Sequence, residues 1–352
     1  MIWEDPAFPL VGTPHRGLSA GEGERVLPEV ATWLRRRTSA ADDWPPHVLL
    51  AAKGAARISV VLPARDEEAT VGAIVAAIRT DLVERVPLVD EIVVVDSRST
   101  DRTAAVAAAA GAEVVAQDDV LPGHGRMSGK GEALWKSLAV TSGDLVVFID
   151  ADLRGFTSSY VTGLLGPLLT DPSVAYVKGC YDRPLVEGDR SVEGGGGRVT
   201  ELVARPLINL HWPQLAGVMQ PLGGEYAGRR ALLERLPFVT GYGVELGLLL
   251  DVFQDAGLDA IAQVDLGRRV HSHQSTEALG EMSGQIMLTA WSRLERHGRM
   301  VPLEAPATAL TRFRRVPDGH DARTSDVAVG ERPPMAGIPG YAAARSFSPG
   351  RG

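Results

Sequence analysis

An apolar run that ends in two carboxylates constrains the fold more than any other feature of the chain. Residues 145–149 are all apolar, and Asp150, Ala151 and Asp152 follow directly. Such a run is typical of a strand that helices cover on both faces, as in a parallel sheet. Because side chains alternate along a strand, Asp150 and Asp152 can project to the same side and offer oxygen ligands to Mg²⁺ or Mn²⁺. Taken alone, however, such a pair more often caps a helix or lies in a solvated turn.

Apolar runs and amphipathic stretches alternate through most of the chain. Residues 58–63 predict a second buried strand, and the stretch after it places Val71, Ile74, Val75 and Ile78 on one helical stripe. Further strands are predicted at 92–95, 114–115, 174–177 and 261–266, and further helices at 199–208, 244–253 and 279–294. Strands that alternate with helices predict an α/β fold built on a mostly parallel, doubly wound sheet.

The same pattern divides the chain into four parts. Residues 1–56 are expected to form a partly ordered extension, and residues 57–275 the ligand-binding α/β domain. Residues 276–317 are expected to form a C-terminal helical segment that makes a dimer. Residues 318–352 are rich in Pro, Gly, Arg and Ser without periodicity, which predicts a disordered tail.

Composition excludes several classes of function. A formal net charge of −8 argues against a nucleic-acid binder, whose footprint would be basic. No apolar run approaches the ~18 residues that span a bilayer, and the first residues do not resemble a signal peptide. Cys180 is the one cysteine, which fits a reducing compartment and is expected to be a small buried hydrophobe rather than a nucleophile. We therefore expect a cytoplasmic protein with no membrane span.

Three strand ends carry the polar residues of a candidate site. Residues 63–68, 96–101 and 150–152 follow predicted strands, and parallel strands bring such ends to one edge of the sheet, where α/β proteins bind ligands. The backbone at 63–65 and the carboxylate of Glu67 could hold a base and a ribose. The chain has neither G-x-G-x-x-G after the first strand nor G-x-x-x-x-G-K-[ST], which counts against a dinucleotide-dependent dehydrogenase and a P-loop protein.

Six segments, in order, resemble one family of enzymes. VVLPARDEE at 60–68, VVDSRSTD at 94–101 and DAD at 150–152 are similar to GT-A nucleotide-sugar glycosyltransferases. GKGEALW at 129–135, GRVTELVARP at 197–206 and QPLGGEY at 220–226 narrow the resemblance to the actinobacterial glucosyl-3-phosphoglycerate synthases, over roughly residues 57–290. The resemblance implies a GT-A fold with a C-terminal helical extension.

The resemblance also implies an activity and a set of site residues. It implies retaining transfer of glucose from UDP-glucose or GDP-glucose to 3-phosphoglycerate, with Mg²⁺ or Mn²⁺, by a homodimer. The implied nucleotide-sugar residues are Pro63, Ala64, Arg65, Glu67, Ser97, Lys130, Asp150, Ala151 and Glu245. The implied metal ligands are Asp152 and His271, and the implied acceptor residues are Gly197, Arg198, Thr200, Tyr242 and Arg269. Asp150, Asp152, Arg198 and Glu245 are the implied catalytic residues.

Each of these residues also has a simpler interpretation. Four glycines at 194–197 before Arg198 and Thr200 could present amides, a cation and a hydroxyl to an anion, but could also form a linker. In isolation Lys130 would be a solvated lysine, His271 a surface histidine and Glu245 a helix cap.

Two rival functions remain open from the sequence. One keeps the fold and changes the substrate, as in a mannosyl or polyprenyl-phosphate sugar transferase. The other is a non-catalytic sensor of nucleotide sugars, against which the presence of Asp152, Lys130 and His271 argues.

Overall fold

The computed structural model describes residues 26–182, 185–187, 190–192, 197–268 and 275–341. The strands are β1 (Thr38–Ala40), β2 (Ile58–Ala64), β3 (Glu91–Asp96), β4 (Glu113–Ala116), β5 (Leu145–Phe148), β6 (Tyr176–Asp182), β7 (Leu185–Glu187), β8 (Arg190–Val192), β9 (Tyr226–Arg229), β10 (Phe238–Val239), β11 (Ile261–Arg268), β12 (Ala309–Val316), β13 (Gly319–Asp326) and β14 (Glu331–Arg332). The α-helices are α1 (Pro28–Arg37), α2 (Pro46–Lys53), α3 (Val71–Arg79), α4 (Thr103–Ala110), α5 (Lys130–Val140), α6 (Ser159–Thr170), α7 (Arg205–His211), α8 (Arg230–Leu233), α9 (Val244–Ala256) and α10 (Thr276–Arg296).

An eight-stranded sheet organises the molecule, in the order β1-β11-β6-β9-β5-β2-β3-β4. Neighbouring strands are parallel except at β9, which is antiparallel to both β5 and β6. Among the described residues, three two-stranded pairs lie outside this sheet: β7 with β8, β10 with β14, and β12 with β13. The predicted fold class, a mostly parallel α/β sheet flanked by helices, is confirmed.

Helices bury both faces of the sheet. Along β5 and the residue after it, Val146 and Phe148 belong to one hydrophobic cluster, whereas Leu145, Val147 and Ile149 belong to the cluster on the opposite face. This alternation explains why the sequence shows a continuous apolar run instead of an apolar-polar pattern. The predicted helical stripe of α3 is also fully buried at all four positions.

Cys180 lies buried on β6, as expected from the sequence. Burial raises the pKa of its thiol to about 12, so the group is protonated and a poor nucleophile at neutral pH. In the part of the chain described by the structure, no helix is both long and apolar enough to cross a membrane.

The N-terminal part of the described chain contributes a strand to the sheet. β1 pairs with β11 in parallel, although it lies in the region predicted as an extension before residue 57. Trp33 of α1 is 2% exposed and donates a hydrogen bond to the carbonyl of Ile261, 2.8 Å away. The sheet therefore begins earlier than predicted, because a three-residue strand of Thr, Ser and Ala shows no apolar run to recognise. Residues 1–25 lie outside the described chain.

The prediction of a disordered tail from residue 318 differs from the structure. β12 and β13 form a hairpin across this boundary. Within the segment predicted to be helical, 276–317, the helix α10 ends at Arg296. β14 pairs with β10, and beyond it Met335 is fully buried. The segment lacks periodicity because single side chains anchor it; the hydroxyl of Tyr341, for example, donates to the carbonyl of Leu138 at 3.0 Å. Residues 342–352 lie outside the described chain.

A buried ion pair joins α9 to α10. Asp251 is 5% exposed and accepts a hydrogen bond at 2.7 Å from Arg293, which is 1% exposed. We expect Asp251→Asn to lower the free energy of unfolding by about 3 kcal/mol, because it leaves a buried guanidinium without part of its counter-charge. Urea denaturation measures this loss. Asp255→Asn is the matched control on the same helix, since Asp255 forms an exposed pair with Arg235 and should lose less than about 1 kcal/mol. Equal losses would contradict the assignment.

Candidate active site

The carboxyl ends of β2 and β3 form the first wall of the candidate site. The amide of Ser97 donates to the carbonyl of Ala64 at 2.8 Å, which extends the pairing of the two strands beyond β3. The turn after β2 has Asp66 at φ 57°, and the amide of Thr100 donates to the Asp66 carboxylate at 2.7 Å. The predicted nucleotide residues of both loops are therefore held side by side. Arg65, also predicted here, points outward with its side chain 66% exposed.

Gln117 extends this wall and was missed from the sequence. Its side-chain oxygen accepts a hydrogen bond from the hydroxyl of Ser97 at 2.8 Å, and its side-chain nitrogen donates to the carbonyl of Met127 at 3.2 Å. Gln117 thus ties the end of β3 to the loop of residues 121–129. A single amide of this kind has no pattern by which the sequence could reveal it.

Lys130 is the central cation of the site. Its ammonium donates to the carboxylate of Asp150 and lies 2.8 Å from the carboxylate of Glu245. Burial alone would lower the pKa of Lys130, but the charges of Asp150 and Glu245 outweigh it and raise that pKa. Lys130 therefore stays charged throughout the physiological range. Three predicted site residues are in direct contact here.

The glycines on either side of Lys130 permit a close backbone contact. A Cβ at Gly131 would lie 1.7 Å from the carbonyl oxygen of Val239, and one at Gly129 would lie 2.1 Å from that of Thr240. The amide of Gly131 instead donates to Thr240 at 3.1 Å. The Gly-Lys-Gly sequence thus lets α5 begin against the loop that leads to Glu245.

A second loop packs on Asp150. A Cβ at Gly224 would lie 2.2 Å from a carboxylate oxygen of Asp150, so the backbone reaches the acid only because the residue is glycine. Lys178 of β6, 1% exposed, donates to the carbonyl of Gly223 and lies 4.9 Å from the ring centre of Tyr226. Burial lowers the pKa of Lys178 to about 8. The sequence did not identify Lys178, because a lysine inside an apolar strand has no motif.

Carboxylates gather around the exposed Asp152. Burial and then the charge of Asp152 raise the pKa of Glu67, with further contributions from Asp101 and Asp150. The hydroxyl of Thr70 donates to the carbonyl of Ala151 at 2.6 Å, and the Ala151 side chain is buried. Such an excess of negative charge suits a divalent cation, which takes hard oxygen ligands.

The second predicted metal ligand, His271, lies outside the described residues, as does Arg269. Among the residues that the structure does describe, no group of three or more His, Cys, Asp or Glu side chains could hold a metal ion. The described part therefore supplies Asp152 as a potential ligand. This is compatible with an ion that takes most of its ligands from phosphates and water.

The predicted acceptor residues that the structure describes lie around α10. Gly197 has φ 77°, Arg198 is exposed, and Thr200 is buried at the start of a π-helical turn, Thr200–Ala204, that packs on α10. Tyr242 is 51% exposed, and its amide donates to the side chain of Gln285 on α10 at 2.9 Å. α10 therefore supports both halves of the predicted acceptor site. Glycines 194–196 lie outside the described residues.

Comparison with known proteins defines the class. Residues 59–195 match the family model of Glycosyl transferase family 2. The crystal structure of mannosyl-3-phosphoglycerate synthase from Rubrobacter xylanophilus matches with a TM-score of 0.81 and 41% identity, over 88% of this chain and 98% of that one. The sheet, with its polar cluster at the carboxyl ends of parallel strands, is thus that of a family 2 glycosyltransferase.

The relatives narrow this class further. The chain is 47% identical over 330 residues to glucosyl-3-phosphoglycerate synthase of Mycolicibacterium paratuberculosis, which covers 92% of this chain and 97% of that protein. The Mycobacterium tuberculosis enzyme of that name, crystallised with Mn²⁺, UDP-glucose and phosphoglyceric acid, matches with a TM-score of 0.73 and 47% identity, over 83% of this chain and 94% of that one. The chain belongs to the glucosyl-3-phosphoglycerate synthase family.

The contact between Gly224 and Asp150 makes a testable prediction. We expect Gly224→Ala to lower kcat/KM about a hundredfold, because the added methyl group displaces the Asp150 carboxylate from Lys130. The melting temperature should change little, since a side chain rather than backbone has to move. The control is Gly223→Ala, whose added Cβ would approach no atom closer than 3.3 Å. Steady-state kinetics that give equal losses for the two variants would refute this reading of the loop.

Proposed function

We propose that the protein transfers glucose from UDP-glucose to 3-phosphoglycerate with retention at the anomeric carbon. The observation that carries this proposal is the Lys130 ammonium, held by Asp150 and Glu245 beside the carboxyl ends of the parallel strands. The glucosyl-3-phosphoglycerate synthase of Mycobacterium tuberculosis, a member of the chain's own family, has been crystallised with UDP-glucose and phosphoglyceric acid.

The donor nucleotide would lie against the first wall of the site. Pro63, Ala64 and Arg65 would meet the base through the backbone, and Glu67 and Ser97 would meet the uridine from the two adjoining loops. The side chain of Lys130 is 27% exposed, so its ammonium can reach a diphosphate while it keeps its carboxylate partners. Charge-assisted hydrogen bonds of this kind are stronger than neutral ones.

Asp152 and His271 would hold the divalent ion. Mn²⁺ occurs with UDP in crystals of the Mycobacterium tuberculosis relative, and Mg²⁺ is our proposal for this chain because both ions accept oxygen ligands. When bound, the ion offsets negative charge on the departing diphosphate. The raised pKa of Glu67 supports a cation here, because burial and then the charges of Asp152, Asp101 and Asp150 cause it.

The acceptor would be held by its two negative charges. Arg198 is an exposed cation next to Gly197, and Thr200, Tyr242 and Arg269 would complete this anion site. Since the whole chain carries a formal charge of −8, attraction of a small anion has to come from such a local cluster.

Glu245 would orient the sugar rather than attack it. It is 6% exposed and shares Lys130 with Asp150, and these ion pairs make both carboxylates weaker nucleophiles. We therefore favour attack by the acceptor hydroxyl on the face from which the diphosphate leaves, with the hydroxyl proton passing to a phosphate oxygen.

A donor and acceptor screen tests the proposed function. UDP-glucose, GDP-glucose and GDP-mannose are each incubated with 3-phosphoglycerate, glycerate or a polyprenyl phosphate, and products are read by mass and by NMR of the anomeric proton. We expect an α-linked glucosyl product from UDP-glucose and 3-phosphoglycerate. The similarity to a mannosyl-3-phosphoglycerate synthase makes mannosyl transfer the second candidate. Binding of the donor without any transfer would favour a sensor.

We further propose a homodimer in the cytoplasm. Val301, Leu303 and Phe313, which lie on the segment between α10 and the end of β12, are 88%, 101% and 73% exposed, as expected of side chains that a second copy covers. Light scattering with Phe313→Glu, compared with the wild type, tests this. The protonated thiol of Cys180 is compatible with a reducing cytoplasm.

The metal assignment predicts a specific loss. We expect Asp152→Asn to lower kcat at least about a hundredfold. The metal ion then loses a carboxylate ligand, so the negative charge on the diphosphate is poorly compensated. The matched control is Asp144→Asn at the opposite end of β5, where the carboxylate accepts from the amide of Arg57 at 2.9 Å. Rates are measured across a titration of Mn²⁺ and Mg²⁺. Full activity of either protein in excess chelator would rule out the metal.

Arg198 should act on the acceptor alone. Loss of one charge-assisted contact costs about 1.5 to 3 kcal/mol, so Arg198→Ala should raise the KM for 3-phosphoglycerate roughly ten- to a hundredfold and leave that for UDP-glucose unchanged. Arg205→Ala is the control, because Arg205 is engaged by Glu201 at 2.7 Å. Initial rates over both substrates give the two constants. A parallel rise in both would make Arg198 structural.

A further inference from the structure

We propose that Arg332 is a positioning residue of the donor nucleotide site, which it organises from the C-terminal part of the chain. It does so by fixing the start of α5 and the 121–129 loop together. The inference rests on the proposed function for the identity of the nucleotide, but not for the sugar or the acceptor.

The first contact of Arg332 is with Glu132, in the first turn of α5. Nε of Arg332 donates to Oε2 of Glu132 at 2.6 Å, and an Nη donates to Oε1 at 2.7 Å. Glu132 is fully buried and stands two residues after Lys130. This planar, bidentate pair therefore fixes the turn of helix that carries the central cation.

The second contact of Arg332 is with the 121–129 loop, which runs from the end of the β4 region to Lys130. The guanidinium donates to the carbonyl of His124 at 2.6 Å and to that of Gly125 at 3.0 Å. From the other side, Gln117 donates to the carbonyl of Met127 at 3.2 Å. One guanidinium thus joins the loop and the helix that follows it.

The contacts continue from Glu132 to the nucleotide wall. Glu132 lies 3.2 Å from Lys136, which is fully buried and donates to the backbone carbonyl of Gln117 at 2.9 Å. The side chain of Gln117 in turn accepts from Ser97. Loss of Arg332 would leave Glu132 with Lys136 as its remaining ion-pair partner, and a shift of Lys136 would release Gln117.

Trp135 fixes the location of Arg332 itself. The guanidinium lies 5.1 Å from the Trp135 ring centre, and the indole nitrogen donates to the carbonyl of Pro333 at 2.8 Å. The pairing of β14 with β10 aligns Arg332 with Phe238 and Glu331 with Val239. Lysine at position 332 could keep the charge, but it could not make the fork to Glu132 and also reach two carbonyls.

Calorimetric titration tests the proposal with the full-length protein. UDP, GDP, ADP and CDP, each with Mn²⁺, are titrated into wild type, Arg332→Lys and Arg332→Met, and KM values are measured for both substrates. We expect Arg332→Lys to weaken binding of the preferred diphosphate roughly tenfold and Arg332→Met more, with the KM for 3-phosphoglycerate within about twofold of wild type. Glu132→Gln combined with Arg332→Met should cost less than the sum of the single changes.

Arg230→Lys is the matched control for mere loss of a buried arginine. Arg230 is 1% exposed and donates to the carbonyl of Leu138, near the last residues of α5, and to that of Gly143, just before β5. The Arg230→Lys substitution should lower the melting temperature without weakening nucleotide binding.

The outcomes separate the inference from the proposed function. Unchanged nucleotide affinity in Arg332→Lys, or an equal loss in Arg230→Lys, would overturn the role of Arg332. Preference of the wild type for another diphosphate, weakened by the Arg332 variants, would overturn the UDP assignment and support the positioning role. A wild type that binds none of the four diphosphates would overturn both.

Discussion

The ammonium of Lys130 compensates two carboxylates that the fold brings from distant parts of the chain. Asp150 follows β5, Glu245 lies in the first turn of α9, and Lys130 begins α5. A buried carboxylate without a partner is costly, so the native positions of these three elements depend on one another. The Gly129 and Gly131 backbone makes this contact possible, because a side chain at either position would collide with residues 239 and 240. The candidate site is therefore organised before a ligand arrives.

Electrostatics explains why the site combines cations with excess acid. Glu67, Asp101, Asp150 and Asp152 raise the local negative charge near the strand ends, where a diphosphate alone would be repelled. The charge of Lys130 is largely balanced by its carboxylate partners, Asp150 and Glu245. A bound divalent ion would thus be needed to make the edge attractive to an anion, which links the proposed metal to binding as well as to departure of the leaving group.

Sequence reasoning located the parallel strands because a strand covered on both faces leaves a long apolar run. It missed β9, a four-residue strand that owes its place to pairing with β5 and β6 rather than to its own pattern. At the site, Lys130 stood in a recognisable segment and Glu245 was implied by the family resemblance alone, whereas Gln117 and Lys178 act through single contacts. The pair of Arg332 and Glu132 is separated by 200 positions, so no local pattern could reveal it. The absence of a local pattern around Arg332 is also why the sequence predicts a disordered tail for residues 318–352.

The segment around Gly330 and Arg332, near the end of the described chain, is part of the support of the candidate site. The carbonyl of Gly330 accepts a hydrogen bond from the amide of Thr240 at 2.9 Å, and the carbonyl of Thr240 accepts one from the amide of Gly131. Arg332 then supplies the counter-charge of the buried Glu132. These partners lie about two hundred positions after α5, so the start of α5 depends on contacts between parts of the chain that are distant in sequence. The geometry around Lys130 is thus a property of the whole fold, to which the segment around Gly330 and Arg332 contributes.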